Sequence, residues 1–237
     1  TYLCRQVFLS YDTHMTIPHV VHLLPLTFEY NYTSMTLTPV AIETDRGLLL
    51  VDTGLESTAD QLEARLDEVG FGFDDIRLVL LTHQDVDHVD ALATILERVS
   101  PVTIASTHAA RVIDGRAELR SGVSFDRSTP APVDVELEGW ASVDTRAGPA
   151  RVIPTPGHTP GHVSVYLPDE RLLVAADALT ASDEGLQGPR AGMTEDMSLA
   201  LESVGKLATL DIDRVVCFHG GYVEEGSERL AEIAVGE

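Results

Sequence analysis

The sequence predicts an α/β fold in which strands and helices alternate and polar side chains gather where strands end. Apolar residues at helical spacing separate short apolar runs, and five of these runs are each followed closely by an acid or a histidine. The runs and the groups that follow them are 48–51 before Asp52-Thr53-Gly54, 78–81 before His83, 151–153 before Thr155-Pro156-Gly157-His158, 172–176 before Asp177, and 215–218 before His219-Gly220-Gly221. Because several strand ends can meet at one rim of a sheet assembly, we expect a site there.

The chain length indicates one domain. At 237 residues it is long enough to bury a large core, and its composition has no break that calls for a second unit. We therefore predict a single domain over residues 1–237.

The first half of the chain shows strand signals and then helix signals. Residues 2–10 alternate like a strand, and residues 36–52 fit a hairpin with its turn at Asp45-Arg46-Gly47. Apolar residues recur at helical spacing over 59–69, with Gly70 as the stop, and again over 89–96.

The second half continues the alternation. Further strands are predicted at 102–106, 133–137, 162–167, 171–176 and 213–218, and further helices at 107–113 and 195–208. Residues 114–132 and 178–194 are rich in Gly, Ser, Pro and Arg and are predicted to be loops, either of which suits a lid.

The segment His83-Gln84-Asp85-Val86-Asp87-His88 packs four candidate metal ligands into six residues directly after an apolar run. Imidazole nitrogens and carboxylate oxygens are the groups that hold zinc and related divalent ions. The alternative is a solvated polar loop that begins the next helix, with Asp85 or Asp87 as its N-terminal cap. The other strand-end residues favour the metal-binding interpretation.

This loop resembles the HxHxDH motif of the metallo-β-lactamase fold superfamily. Asp52, His158, Asp177 and His219 match the remaining motifs of that family in order, so the resemblance spans about residues 37 to 221. It implies a four-layer αββα sandwich, a layer order that periodicity alone does not predict.

The resemblance also implies a dinuclear metal site. Its ligands would be His83, Asp85 and His158 for one ion, Asp87, His88 and His219 for the second, and Asp177 bridging the two. Asp52 would orient the histidine loop by hydrogen bonds. His162 closes the second of two tandem Thr-Pro-Gly-His copies and would pack or hydrogen-bond behind the ligands.

Asp85 departs from the family pattern, which usually has histidine at this position. We expect two divalent ions, with zinc as the first expectation, and manganese or iron(II) favoured somewhat by the extra carboxylate. An open alternative is that Asp85 only forms hydrogen bonds and the first site stays empty.

Two metal ions can generate hydroxide from water and polarise a carbonyl oxygen, so we predict a metal-dependent hydrolase with Asp87 orienting the nucleophile. The chain looks most like lactonase and glyoxalase II relatives, which implies a small ester, lactone or thioester as substrate. The alternatives are a diiron-type oxidoreductase domain working with a separate flavin partner, and a non-catalytic metal-binding protein.

The charge balance limits the partners. A net charge of -22 and a pI near 4.6 disfavour nucleic acid and anionic membranes. No apolar stretch approaches the ~20 residues of a membrane span, and the first residues lack a charged-then-apolar leader, which predicts a cytoplasmic protein. A small molecule is then the expected partner, and a homodimer stays open.

The cation content indicates adaptation to salt. Lys206 is the only lysine, against 15 arginines and 38 acidic residues. Concentrated counterions would screen such a surface, so a halophilic protein is predicted. The alternative is an ordinary acidic cytoplasmic protein from a GC-rich genome.

Overall fold

The computed structural model describes residues 17–118 and 129–236. The predicted strand at 2–10 and part of the predicted loop at 114–132 lie outside these residues. The strands are β1 Val21–Leu23, β2 Leu26–Tyr30, β3 Thr33–Leu37, β4 Val40–Thr44, β5 Gly47–Val51, β6 Ile76–Leu81, β7 Val102–Ser106, β8 Val135–Leu137, β9 Ala141–Thr145, β10 Gly148–Pro154, β11 Val163–Leu167, β12 Leu172–Ala176, β13 Thr180–Ser182, β14 Gly185–Gln187, β15 Arg214–Cys217 and β16 Gly221–Val223. The α-helices are α1 Ala59–Glu68, α2 Val86–Val89, α3 Leu92–Arg98, α4 Thr107–Ile113, α5 Met197–Leu207 and α6 Ser227–Val235.

Within the described residues, two six-stranded sheets form the centre of the fold. The first has the order β1-β4-β5-β6-β7-β8, with β5 to β8 parallel, and the second has the order β16-β15-β12-β11-β10-β9, with β12 and β15 parallel. Strand β11 is antiparallel to both β10 and β12, so β10, β12 and β15 run in one direction. Their carboxyl ends therefore lie at one edge of the second sheet.

Three apolar cores of the described residues define the layers. One core lies between the sheets and contains Ile42 and Leu80 of the first sheet with Val165 and Val174 of the second. Another packs the outer face of the first sheet against α1, α3 and α4, and the last packs the outer face of the second sheet against α5 and α6. This arrangement confirms the predicted four-layer αββα sandwich.

The five apolar runs lie in strands β5, β6, β10, β12 and β15, except that Phe218 directly follows β15. The two sheets are joined at the rim where these strands end. The Val163 amide donates to the Thr82 carbonyl at 2.9 Å, and the Thr38 amide donates to the Phe218 carbonyl at the same distance. The polar residues that follow the runs are therefore delivered to one shared rim.

The predicted helix over 89–96 is interrupted. Helix α2 ends at Val89 and α3 begins at Leu92, because the loop after β5 takes hydrogen bonds that a continuous helix would use. The Thr53 amide donates to the His88 carbonyl at 2.8 Å, and the Ala91 amide donates to the Gly54 carbonyl at 3.1 Å. This break fixes the loop after β5 against the short helix that carries His88.

The loop prediction for 178–194 was wrong in part, because this segment contains the β13–β14 hairpin. Its strands have three residues each, too few for an alternating pattern to stand out. The Ala181 amide of β13 donates to the carbonyl of His219 at 3.0 Å. The hairpin therefore packs directly against the end of β15.

None of the helices in the described ranges has the length and apolar composition that crossing a membrane requires.

Candidate metal centre

The histidine loop leaves β6 at the rim and enters α2. Asp85 occupies the N-cap position of α2 with extended backbone angles, φ -69° and ψ 143°, but its side chain forms no capping hydrogen bond. Its Oδ2 instead lies 3.3 Å from Nε2 of His158. The capping alternative is therefore wrong for the Asp85 side chain, and Asp87 lies inside the helix.

One group of ligand-type atoms comprises His83, Asp85 and His158, and all three residues are buried. Nε2 of His83 lies 3.7 Å from Oδ2 of Asp85. The three ligand atoms lie within 4.8 Å of one another, although His158 follows Asp85 by 73 positions in the sequence. The fold thus brings together the three residues expected at the first site.

A further group comprises Asp87, His88 and His219. Nε2 of His219 lies 3.2 Å from Oδ2 of Asp87. His88 is fully buried, whereas the side chains of Asp87 and His219 are 20% and 14% exposed. The centre therefore opens towards solvent on the side of these two residues.

Asp177 lies between the two groups. Its Oδ1 is 3.2 Å from Nε2 of His88, and its Oδ2 is 3.5 Å from Nε2 of both His158 and His219. One carboxylate thus faces histidines of both groups, as a bridging ligand must.

Several buried atoms of this centre form no hydrogen bond of good geometry among the described residues, although Nε2 of His88 and Oδ1 of Asp177 lie 3.2 Å apart. They include Nε2 of His83, Nε2 of His88 and Oδ1 of Asp177. Burying such atoms unsatisfied is costly, so each calls for an explanation. Imidazole nitrogens and carboxylate oxygens that converge in this way fit a divalent cation.

Electrostatics in the metal-free centre favour protons where a cation would bind. Burial lowers the pKa of His219, but Asp177 and Asp87 outweigh burial and raise it to about 9. Burial also lowers the pKa of His88, yet attraction to Asp52, Asp177 and Asp87 raises it well above 6.5. Burial raises the pKa of Asp177, but His219 and His88 hold it well below its ordinary value. A bound cation would replace these protons.

Asp52 and Thr82 hold two of the histidines from behind. Oδ2 of Asp52 accepts hydrogen bonds from Nδ1 of His88 and from Oγ1 of Thr82, both at 2.7 Å, and its Oδ1 accepts from the Thr82 amide at 2.8 Å. Because the Thr82 hydroxyl donates to Asp52, it accepts from Nδ1 of His83 at 3.1 Å. The Nε2 atoms of both imidazoles are left to face the centre.

His162 lies behind the centre and belongs to no group of ligand-type atoms found among the described residues. Its ring centroid is 5.1 Å from that of His83. Burial and the neighbouring His83 and His158 lower the pKa of His162 well below 6.5, so its imidazole is neutral near neutral pH. Its Nε2 accepts a hydrogen bond from the Asp177 amide at 3.1 Å.

Two glycines are required by close packing beside ligands. Gly157 has φ +141°, and a Cβ there would lie 2.3 Å from the backbone of Ala200. Gly220 has φ +105°, and a Cβ there would lie 2.0 Å from the Ala181 carbonyl oxygen. Both positions exclude larger side chains, and each adjoins a ligand-type histidine.

Sequence reasoning did not identify the residues that support the ligands other than Asp52 and His162. These include Thr82, Thr155 and Ser164, whose hydroxyls are buried and hydrogen-bonded, and Phe218, whose ring stacks on His88 with centroids 3.7 Å apart. The sequence did contain a signal for Ser164, because a hydroxyl inside a buried strand such as β11 needs a hydrogen-bond partner. The sequence does not indicate which partner.

Comparisons with known proteins show the family of the chain. A sequence profile described as the metallo-beta-lactamase superfamily matches residues 39–219. The probable metallo-hydrolase YflN of Bacillus subtilis is 32% identical over 199 residues, which cover 73% of this chain and 75% of that protein. A hydroxyacylglutathione hydrolase of Ruegeria pomeroyi is 29% identical over 171 residues, and the chain spans only 56% of its length.

Solved structures show the same fold. A metallo-beta-lactamase family protein of Thermus thermophilus superposes with a TM-score of 0.70 at 23% identity, covering 91% of this chain and 78% of that one. A motif mutant of a metallo-beta-lactamase from Cronobacter sakazakii gives 0.68 at 22% identity, covering 90% of each chain. At these identities the likeness concerns the fold alone.

Proposed function

The chain belongs to the metallo-beta-lactamase superfamily and is a metal-dependent hydrolase, and from this premise we propose that it uses two divalent ions to hydrolyse a small ester, lactone or thioester. The observation that carries the proposal is the position of Asp177, whose two carboxylate oxygens face histidines of both ligand groups. A carboxylate placed in this way can bridge the two ions of a dinuclear centre.

The residues that would hold the ions follow from the two groups. His83, Asp85 and His158 would hold one ion, Asp87, His88 and His219 the other, and Asp177 would bridge them. When bound, two divalent ions act as Lewis acids that lower the pKa of water and stabilise negative charge on a substrate oxygen.

Asp87 has the chemistry to orient the attacking water. Burial raises its pKa, but His88 and His219 outweigh burial and lower it, so the carboxylate is ionised near neutral pH and accepts hydrogen bonds. Its side chain is 20% exposed, at the open side of the centre, where water and substrate would arrive. We assign Asp87 the role of accepting a hydrogen bond from the nucleophilic water and directing its lone pair at the carbonyl carbon.

Two observations support a small carbonyl substrate. Several relatives are named hydroxyacylglutathione hydrolase, and a hydroxyacylglutathione is a thioester. The net charge of -22 would repel polyanions such as nucleic acid at long range. We therefore propose a low-molecular-weight substrate rather than a polymer.

We propose zinc as the ion at both sites, because each group joins two histidines to one terminal carboxylate. At the first site Asp85 stands where the family usually has histidine, and its carboxylate lies with His83 and His158. Carboxylate oxygen suits harder ions such as manganese or iron(II) better than imidazole does. Relative to a histidine at that position, Asp85 therefore shifts the preference of the first site towards these harder ions.

The proposal is tested with the purified protein stripped by a chelator and reloaded with zinc, manganese or iron(II). Hydrolysis of p-nitrophenyl esters, lactones and acyl thioesters should return with about two equivalents of metal. Thr103→Val serves as the matched control. It removes a buried hydroxyl that bonds to Asp134 and Pro132, and it should keep full activity. An iron-dependent visible absorption band with reductant-driven oxygen consumption and no hydrolysis would contradict the proposal.

A further inference from the structure

Behind Asp177, a closed chain of hydrogen bonds joins the two ends of the turn that carries this residue. The Asp177 amide donates to Nε2 of His162 at 3.1 Å, and Nδ1 of His162 lies 2.8 Å from Oγ1 of Thr155. Oγ1 of Thr155 lies 2.9 Å from Oγ of Ser164, which donates to the Ala175 carbonyl at 3.0 Å. The three linking side chains are at most 2% exposed. We call this chain the Asp177 clamp.

Every proton in the clamp can be assigned from the groups at its two ends. An amide can only donate, so Nε2 of His162 accepts, and the neutral imidazole carries its proton on Nδ1. The Thr155 oxygen therefore accepts from His162. The Ala175 carbonyl can only accept, so the Ser164 hydroxyl donates to it and accepts from the Thr155 hydroxyl. No member is left unsatisfied, which makes the clamp a rigid unit.

The turn held by the clamp has an unfavourable backbone conformation. Ala176 has φ +48°, in the left-handed region that residues with a Cβ rarely adopt. The pairing of β12 with β15 also shifts register between Val174 and Ala176. Such a conformation persists where the surrounding structure enforces it. The clamp binds the carbonyl before Ala176 and the amide after it, and so provides that enforcement.

We propose that His162, Thr155 and Ser164 are positioning residues that hold the peptide between Ala176 and Asp177, and thereby direct the Asp177 carboxylate between the two ligand groups. This inference rests on the proposed function, because it assigns these residues to the same centre. None of the three appears in the ligand groups found in the described part of the chain. They act on the centre through Asp177.

The clamp also accounts for the tandem Thr-Pro-Gly-His copies. His158 ends the first copy and faces Asp85, whereas Thr155 and His162 are the first and last residues of the octapeptide and bond to each other. Their backbones are joined as well, since the Thr155 amide donates to the His162 carbonyl at 2.9 Å. The first copy thus supplies a ligand-type histidine, and the second supplies a positioning histidine.

The test uses the full chain and four variants. Thr155→Val removes the central hydroxyl with little change of shape, and Ser164→Ala removes the last link. Thr155→Ser keeps the hydroxyl, and Thr103→Val controls for the loss of a buried hydroxyl elsewhere, because Oγ1 of Thr103 bonds to Asp134 and Pro132. Two quantities are measured: hydrogen exchange of the Asp177 amide in metal-free protein, and zinc affinity by competition with a chromophoric chelator.

The proposal predicts that Thr155→Val and Ser164→Ala each speed exchange of the Asp177 amide by about tenfold or more. Both should weaken zinc binding about 10- to 100-fold, the usual effect of losing a group that supports a ligand. Thr155→Ser and Thr103→Val should match wild type in both measurements. If one of the two disruptive variants does not fold, the other decides.

Any other pattern overturns the proposal. An unchanged exchange rate of the Asp177 amide in the disruptive variants would show that the clamp does not hold the turn. An equal loss of exchange protection and zinc affinity in Thr155→Ser or Thr103→Val would show that the effects come from general packing and not from the clamp. If wild-type protein binds no zinc, the proposed function fails by itself, and the exchange rates in metal-free protein still decide whether the clamp exists.

Discussion

Nδ1 of His88 donates a hydrogen bond to the Asp52 carboxylate at 2.7 Å, and both side chains are at most 1% exposed. This contact fixes the His88 ring so that Nε2 faces Asp177 at 3.2 Å. Asp52 also has φ +61°, an uncommon backbone conformation for a residue other than glycine. Its position at the end of β5 is therefore held by the contacts of its side chain.

Asp52→Asn should weaken metal binding. The amide keeps the shape of the carboxylate, but it has only one oxygen to accept from three donors, namely Nδ1 of His88 and both groups of Thr82. We expect zinc affinity to fall about 10- to 100-fold. Chelator competition measures the loss, and an affinity equal to that of wild type would show that His88 does not need this partner.

Asp177→Asn should remove most of the activity while the protein stays folded. The change keeps the size of the side chain but removes the charge that faces His88, His158 and His219. We expect kcat to fall by about 10³-fold, the upper scale for losing one group that stabilises charge in a transition state. The assay is ester or lactone hydrolysis, with circular dichroism as the check on folding. Retained turnover would exclude a dinuclear mechanism.

The metal-free protein should lose stability as the pH rises from 6.5 to about 9. Burial lowers the pKa of His219, but Asp177 and Asp87 raise it to about 9 in the folded state, against 6.5 in the unfolded chain. The stability that comes from this raised pKa is fully present below pH 6.5 and disappears as the pH passes 9. Thermal unfolding in a chelator across this range measures it.

Excess zinc should reverse the loss of stability with rising pH. Metal binding needs neutral histidines and becomes tighter as protons leave. The same titration of Tm with zinc present provides the control. A metal-free protein whose Tm rises from pH 6.5 to 9 would contradict the pairing of His219 with the two carboxylates.

Asp85→His should shift the metal preference towards zinc. The variant restores the residue that the superfamily usually has and replaces a hard oxygen ligand by imidazole. We expect the ratio of zinc affinity to manganese affinity to rise about tenfold or more. Metal titrations of both proteins measure the ratio. An unchanged ratio would mean that Asp85 does not bind the ion.

Concentrated salt should stabilise the protein. With 38 acidic residues against 16 basic ones, the surface charges repel one another, and counterions screen that repulsion. Molar potassium chloride should raise the free energy of unfolding by about 2 kcal/mol, or Tm by about 4 to 8 °C at this chain length. A Tm that falls with salt would argue against the halophilic prediction.

The sequence predicted the strands that bear the centre because each one is a short apolar run with a ligand-type residue behind it. The ends of β6, β12 and β15 illustrate this, since His83, Asp177 and His219 follow runs that are buried throughout or nearly so. Element bounds along these strands agree to within a few residues, because burial imposes their composition.

Features that depend on contacts distant in sequence could not be predicted in this way. The break between α2 and α3 arises from hydrogen bonds of Thr53 and Gly54 to residues more than 30 positions away. The β13–β14 hairpin is held partly by Glu225, whose carboxylate accepts from the Leu186 amide at 3.2 Å. No local pattern encodes either partner.

The most direct test is anomalous X-ray diffraction from crystals of the protein soaked in zinc. We expect two peaks, one contacted by His83, Asp85 and His158 and the other by Asp87, His88 and His219, with the Asp177 carboxylate touching both. No peak at this rim, or ions bound only elsewhere on the protein, would contradict a two-ion centre.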